Sequence, residues 1–108
     1  MIHHTDIEND ISYYKKQLEL STGLKKLYCN SDFMLVFMKH YCEDYVLYLV
    51  SKLSQYSSES NEHKEILKEL SAISYFQKYI DNINRNGAMA ITTLNELNAI
   101  PTDEIDYD

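Results

Sequence analysis

Between residues 66 and 97 an apolar residue recurs every three or four positions: Ile66, Leu70, Ile73, Phe76, Ile80, Ile83, then Gly87, Ala90 or Ile91, Leu94 and Leu97. That spacing is the seam of a helix. Helical throughout, it makes a rod of roughly 50 Å at 1.5 Å per residue, longer than a compact domain of this size needs. The pattern therefore predicts either a break near Gly87 or a far end packed against something else. Residues 82–87, Asn-Ile-Asn-Arg-Asn-Gly, are poor helix formers and end in a turn dipeptide, so residues 88–97 are either a continuation or a separate short helix.

Two further helices precede this seam. Thr5 and Glu8 have the spacing of a capping box, and Ile7, Ile11, Tyr14 and Leu18 follow at intervals of four, three and four. The stripe then shifts to Leu24, Leu27 and Tyr28, with Gly23 at the shift, so residues 5–28 read as one helix with a weak point. Asn30, Ser31 and Asp32, all good N-caps, stand before the run from Phe33 to Met38 and mark the clearest helix start in the chain. Tyr41, Tyr45, Val46, Leu49, Val50 and Leu53 continue that helix to Tyr56. Because Leu35, Leu47 and Tyr48 fill a second flank, it is expected to be the central helix, contacting neighbours on two sides. Residues 57–61, Ser-Ser-Glu-Ser-Asn, form a loop within one domain, and Ser60 or Asn61 caps the third helix.

The fold expected is all-α, an antiparallel bundle of three main helices with the third long or broken near Gly87, in a single domain of residues 1–108. The net charge of -7 is uneven: Asp103, Glu104, Asp106 and Asp108 supply four of seventeen acids, leaving thirteen against ten bases in the remainder. Residues 102–108 read as a mobile acidic tail, either a solubility device or a short motif docking a basic groove. Nine lysines and one arginine scattered along the chain argue against direct nucleic-acid binding. The longest apolar run, six residues, is too short to cross a bilayer. The N terminus lacks the basic flank and apolar core of a signal peptide, so synthesis in a reducing, intracellular setting is expected, with Cys29 and Cys42 both buried as small hydrophobes.

Chemistry is sparse. His40 with Asp44, and Lys39 with Glu43, are each one helical turn apart, but an acid–base pair needs a converging nucleophile or pocket, and alternating charge on one helix face reads as solvated surface. Adjacent His3 and His4 lack the fixed geometry of a metal site, and the two cysteines have no companions at ligand spacing. No phosphate loop, nucleophile elbow or zinc-helix motif is present, so no catalytic, cofactor or metal residue is assigned. Ten tyrosines without a tryptophan are either the mark of an AT-rich coding sequence or of interface, where a ring buries and its hydroxyl finds a partner. Tyr75 and Tyr79 flank the third helix's seam. Together with Gly87, Ile91, Leu94 and Leu97 they form the expected partner interface.

The order Leu24-x-x-Leu27, Asn30-Ser31-Asp32-Phe33, Tyr41-x-x-Asp44-Tyr45-x-x-x-Leu49-Val50 and Ile66-Leu67-x-x-Leu70-x-Ala72-Ile73-x-x-Phe76-x-x-Tyr79-Ile80 resembles small helical proteins of tailed bacteriophages, usually encoded among virion structural genes. The resemblance spans residues 18–97 and lies at packing and capping positions. It departs at residues 42–45, where the family has a more charged turn. It implies a shared helical fold and, through gene company alone, association with the virion. The expected function is thus a non-enzymatic phage protein that binds other phage or host proteins and itself, as a homo-oligomer, in or during virion assembly, in the host cytoplasm or on the particle. The alternatives are a small acidic inhibitor of a host enzyme, presenting carboxylates where phosphates sit, and a helical binder of a small ligand held between the second and third helices.

Overall fold

The computed structural model describes residues 4–97, with side chains from Glu8 onward. Every regular element among these residues is helical, with no strand. Helix α1 is His4–Tyr28. Helix α2, residues 31–53, is built of Ser31–Phe33, Met34–Asp44 and Tyr45–Leu53. Helix α3 is Asn61–Glu96, 36 residues long. The predicted cap at Thr5 and the acidic tail fall outside the described side chains. The chain divides into two compact units, one of Leu27–Asp81 and one of Met1–Lys26 with Asn82–Asp108.

Local signals start α2 and α3. Asn30 holds extended backbone, φ -91° and ψ 116°, and its Oδ1 accepts from the Phe33 N–H at 2.9 Å. This satisfies one of the donors that a helix start leaves without an intrahelical acceptor. At α3 the cap is Ser60, whose Oγ accepts from the His63 N–H at 3.1 Å. Ser60 Oγ also donates to the Ser57 carbonyl at 2.7 Å, tying the loop to the helix it introduces.

In the unit of residues 27–81, Leu49, Ile66 and Ile73 form the core, with Tyr41, Tyr45, Val46, Leu53 and Leu70 packed against it. Burying each such aliphatic side chain contributes roughly 1.5–3 kcal/mol. The seam of α3 is therefore consumed inside the chain through Ile73, as its spacing predicts. The flank of α2 is not. Leu35 is 62% exposed and Leu47 69%, with Tyr48 and Val50 half-exposed. The inner stripe of α2 is covered, while Leu35 and Leu47 of the second flank, expected to meet another neighbour, are exposed.

In the other unit, α1 buries Ser21 and Leu24, and α3 buries Gly87, Ala90 and Leu94 at intervals of three and four. Helical backbone runs through Gly87 unbroken. The reason is tertiary. A Cβ at Gly87 would collide with the Cβ and Oγ of Ser21, so glycine is what lets the two backbones approach this closely. Gly23, by contrast, has open space where a Cβ would stand, and α1 passes it without interruption.

Candidate functional site

The middle of α2 is a π-helix over Met34–Asp44, where the sequence predicts a continuous α-helix. At its end the Tyr45 N–H donates to the carbonyl of His40, five residues back. A wider turn changes which residues share a face. Phe33 and Met38 are half-buried and Cys42 is buried, at intervals of five and four. The run from Phe33 to Met38 is apolar on every side, so its pattern does not register the choice between i→i+4 and i→i+5 bonding.

The inner face carries a ladder of rings. Phe33 lies 5.5 Å from Phe37, Phe37 stacks on Phe76 at 6.0 Å, and Tyr41 meets Phe76 edge-on at 5.7 Å, within the range of favourable aromatic pairs. Tyr45 continues it, stacked with Tyr41 and Tyr48, and its hydroxyl donates to Glu69 Oε1 at 3.0 Å. The hydrogen bond to that carboxylate holds the Tyr45 hydroxyl above its usual range. Beside the ladder is a cleft of about 260 Å³ between α2 and α3, walled by Tyr28 and Phe76, with Cys42, Gln77 and Asp81 on its lining. Gln77 Nε2 donates to the Cys42 carbonyl at 3.3 Å across it.

The outer face of α2 is the opposite in character. A shallow groove of about 350 Å³ is lined by Met34, Leu35, Met38, Lys39 and Glu43. Lys39 Nζ sits 3.3 Å from Glu43 and 3.6 Å from Asp44, and the hydrogen bond to Glu43, then the Asp44 charge, hold the ammonium proton beyond its usual range. His40 and Asp44, one turn apart in sequence, take different neighbours: Asp44 lies at Lys39, and His40 stacks on Tyr45 at 5.9 Å. Along the helix, exposed apolar side chains stand on both sides of the ion pair, Met34, Leu35 and Val36 before it and Leu47 and Val50 after it.

The interface residues named from the sequence separate into two groups. Tyr75 and Tyr79, one turn apart on α3 in the unit of residues 27–81, are 71% and 53% exposed. In the other unit Gly87 and Leu94 are buried, Ile91 is half-buried and Leu97 is exposed. Leu94, at 0%, has no surface left to present. The outer stripe of α2 is visible in the sequence only as a second apolar flank, and that pattern is the same whether its neighbour lies inside the chain or outside it.

Cys42 is buried, and burial pushes its thiol up, the Gln77 side chain opposing and the Glu43 charge adding. Cys29 is exposed, against the expectation that both thiols are buried; it lies in the short link between α1 and α2, where nothing covers it. Among the described residues no group of three or more His, Cys, Asp or Glu is placed to hold a metal ion, and no helix is long and apolar enough to cross a membrane. No protein-family model matches the chain, and no curated protein or solved structure matches it either.

Proposed function

We propose that this chain is a non-enzymatic protein that works by binding other proteins, first of all copies of itself. One observation supports this reading above others: Met34, Leu35, Val36, Leu47 and Val50 are exposed on one helix, with Met34 and Leu35 lining a single groove beside Lys39 and Glu43. Single exposed leucines are ordinary, whereas contiguous apolar surface on a small chain marks a place of association. The setting, a bacteriophage particle or its assembly in the host cytoplasm, rests on the resemblance of residues 18–97 to phage proteins. An antiparallel bundle belongs to the same reading, supported by pairings that climb α2 while descending α3: Phe37 with Phe76 and Tyr45 with Glu69. Sedimentation equilibrium over a concentration series tests association. A mass that rises with concentration supports it, and a monomer throughout, up to about millimolar, refutes it.

The cleft at Cys42 favours a second reading, a binder of small ligands, because it is walled by aromatic rings and crossed by one polar bridge. An NMR titration with phenethylamine tests it: saturable shifts at Cys42, Gln77 and Asp81 support the reading, and shifts spread over the surface reject it.

A further inference from the structure

The outer face of α2 is self-complementary. Along it the order is apolar, charged, apolar: Leu35, then Lys39 and Glu43, then Leu47. The two leucines each lie six residues from Tyr41, and Lys39 and Glu43 each lie two residues from it. A helix with this order, turned end for end and laid against itself, matches like with like at its ends and opposite charge at its centre. We propose that a second copy of this chain docks on this face, antiparallel, about a two-fold axis at the level of Tyr41. This rests on the association reading above and names its surface, register and partner.

Opposite charge decides the occupant. In the proposed pairing Leu35 of one copy meets Leu47 of the other at both ends, closing two apolar contacts. Lys39 of each copy comes against Glu43 of its partner while keeping its own carboxylates at 3.3 and 3.6 Å, so two ammonium groups are shared among four carboxylates. A parallel pairing sets Lys39 against Lys39 and Glu43 against Glu43, and that like-charge juxtaposition selects against it. A two-fold pairing uses the same patch on both copies and closes at two, without growing into a filament.

The test uses the full chain in two singly reversed variants, Lys39→Glu and Glu43→Lys, each measured alone and in an equimolar mixture by sedimentation velocity. Both positions are exposed, and circular dichroism verifies that each variant is folded. Alone, each places like charges at the centre of the pairing, and its dimerisation constant weakens at least about tenfold. Mixed, the carboxylate introduced by Lys39→Glu meets the ammonium introduced by Glu43→Lys, and the unchanged Glu43 of the first variant meets the unchanged Lys39 of the second. Opposite charges face each other at both contacts, so a mixed dimer forms with affinity within about threefold of the unmodified chain. Leu35→Ser, which leaves the charges alone, also weakens dimerisation at least about tenfold. Dimers of the unmodified chain that ignore all three changes overturn this surface and leave association intact. Variants that weaken but are not restored by mixing overturn the register. An unmodified chain that stays monomeric overturns this proposal and the reading beneath it together.

Discussion

Gly87 lies so close to Ser21 that the space a Cβ would occupy is already filled by the Ser21 side chain. Ser21 is fixed there, buried and donating its hydroxyl to the Leu18 carbonyl at 3.0 Å. Gly87→Ala is expected to destabilise the chain by about 1–3 kcal/mol, overpacking outweighing the gain in helix propensity. Gly23→Ala, with open space around it, is expected to stabilise by roughly 0.5–1 kcal/mol. Urea unfolding of the two variants gives shifts of opposite sign. A Gly87→Ala chain as stable as the unmodified one contradicts the close approach.

Two caps set the starts of α2 and α3, and removing either has a predictable cost. Asn30→Ala and Ser60→Ala each lose a side-chain acceptor for a backbone N–H and are expected to cost about 1 kcal/mol. Asn61→Ala, one residue inside α3, is expected to stay within about 0.5 kcal/mol of the unmodified chain. Equal costs at Ser60 and Asn61 contradict the assignment of the cap.

These contrasts show what is legible in a sequence of this kind. Asn30 and Ser60 announce themselves because a cap is a local event, settled within three residues. The inner seam at Ile66 and Ile73 is legible because burial follows the helical period. Gly87 is not, since its meaning depends on Ser21, distant in sequence, and an Asn-Gly pair alone signals a turn as readily as a close approach. The π-turn of α2 escapes for another reason: between Phe33 and Met38 every face is apolar, so the pattern carries no phase. The outer stripe, Leu35 and Leu47, is visible as apolar, but the sequence does not say whether the surface it meets lies inside the chain.

The two thiols are expected to react at very different rates. Cys29 is exposed, while Cys42 is buried with its thiol held in the protonated form by that burial. With Ellman's reagent near pH 8, one equivalent should react promptly and the second at least about 100-fold more slowly, gated by opening of the unit that buries it. Cys29→Ser removes the fast phase alone. Two equally fast thiols contradict the burial of Cys42.

Stability is expected to fall at alkaline pH. Four groups hold their protons more tightly in the fold than in the free chain: the Cys42 thiol through burial, above 9.0, the Tyr45 hydroxyl through its bond to Glu69, above 10.0, and the Lys39 and Lys52 ammonium groups through Glu43 and Tyr48, above 10.5. For a raised value the folded state binds more protons than the unfolded one, so the contribution is complete below the ordinary value and lost as pH rises through the folded value. Urea midpoints should hold steady from about pH 7 to 8 with respect to these groups and decline above about 9, with Tyr45→Phe flattening the upper part. A midpoint that climbs between about pH 9 and 11 contradicts these assignments.

The central claim is that α2 of one copy lies antiparallel on α2 of another, and a disulfide reads that register directly. In a Cys29→Ser background, chains carrying Leu35→Cys and chains carrying Leu47→Cys are mixed under mild oxidation and resolved on a non-reducing gel. The account predicts rapid cross-linking between the two variants, because the positions face each other within disulfide reach, and slow cross-linking of either variant alone. Cross-linking that is no faster in the mixture than in the Leu35→Cys chain by itself contradicts it.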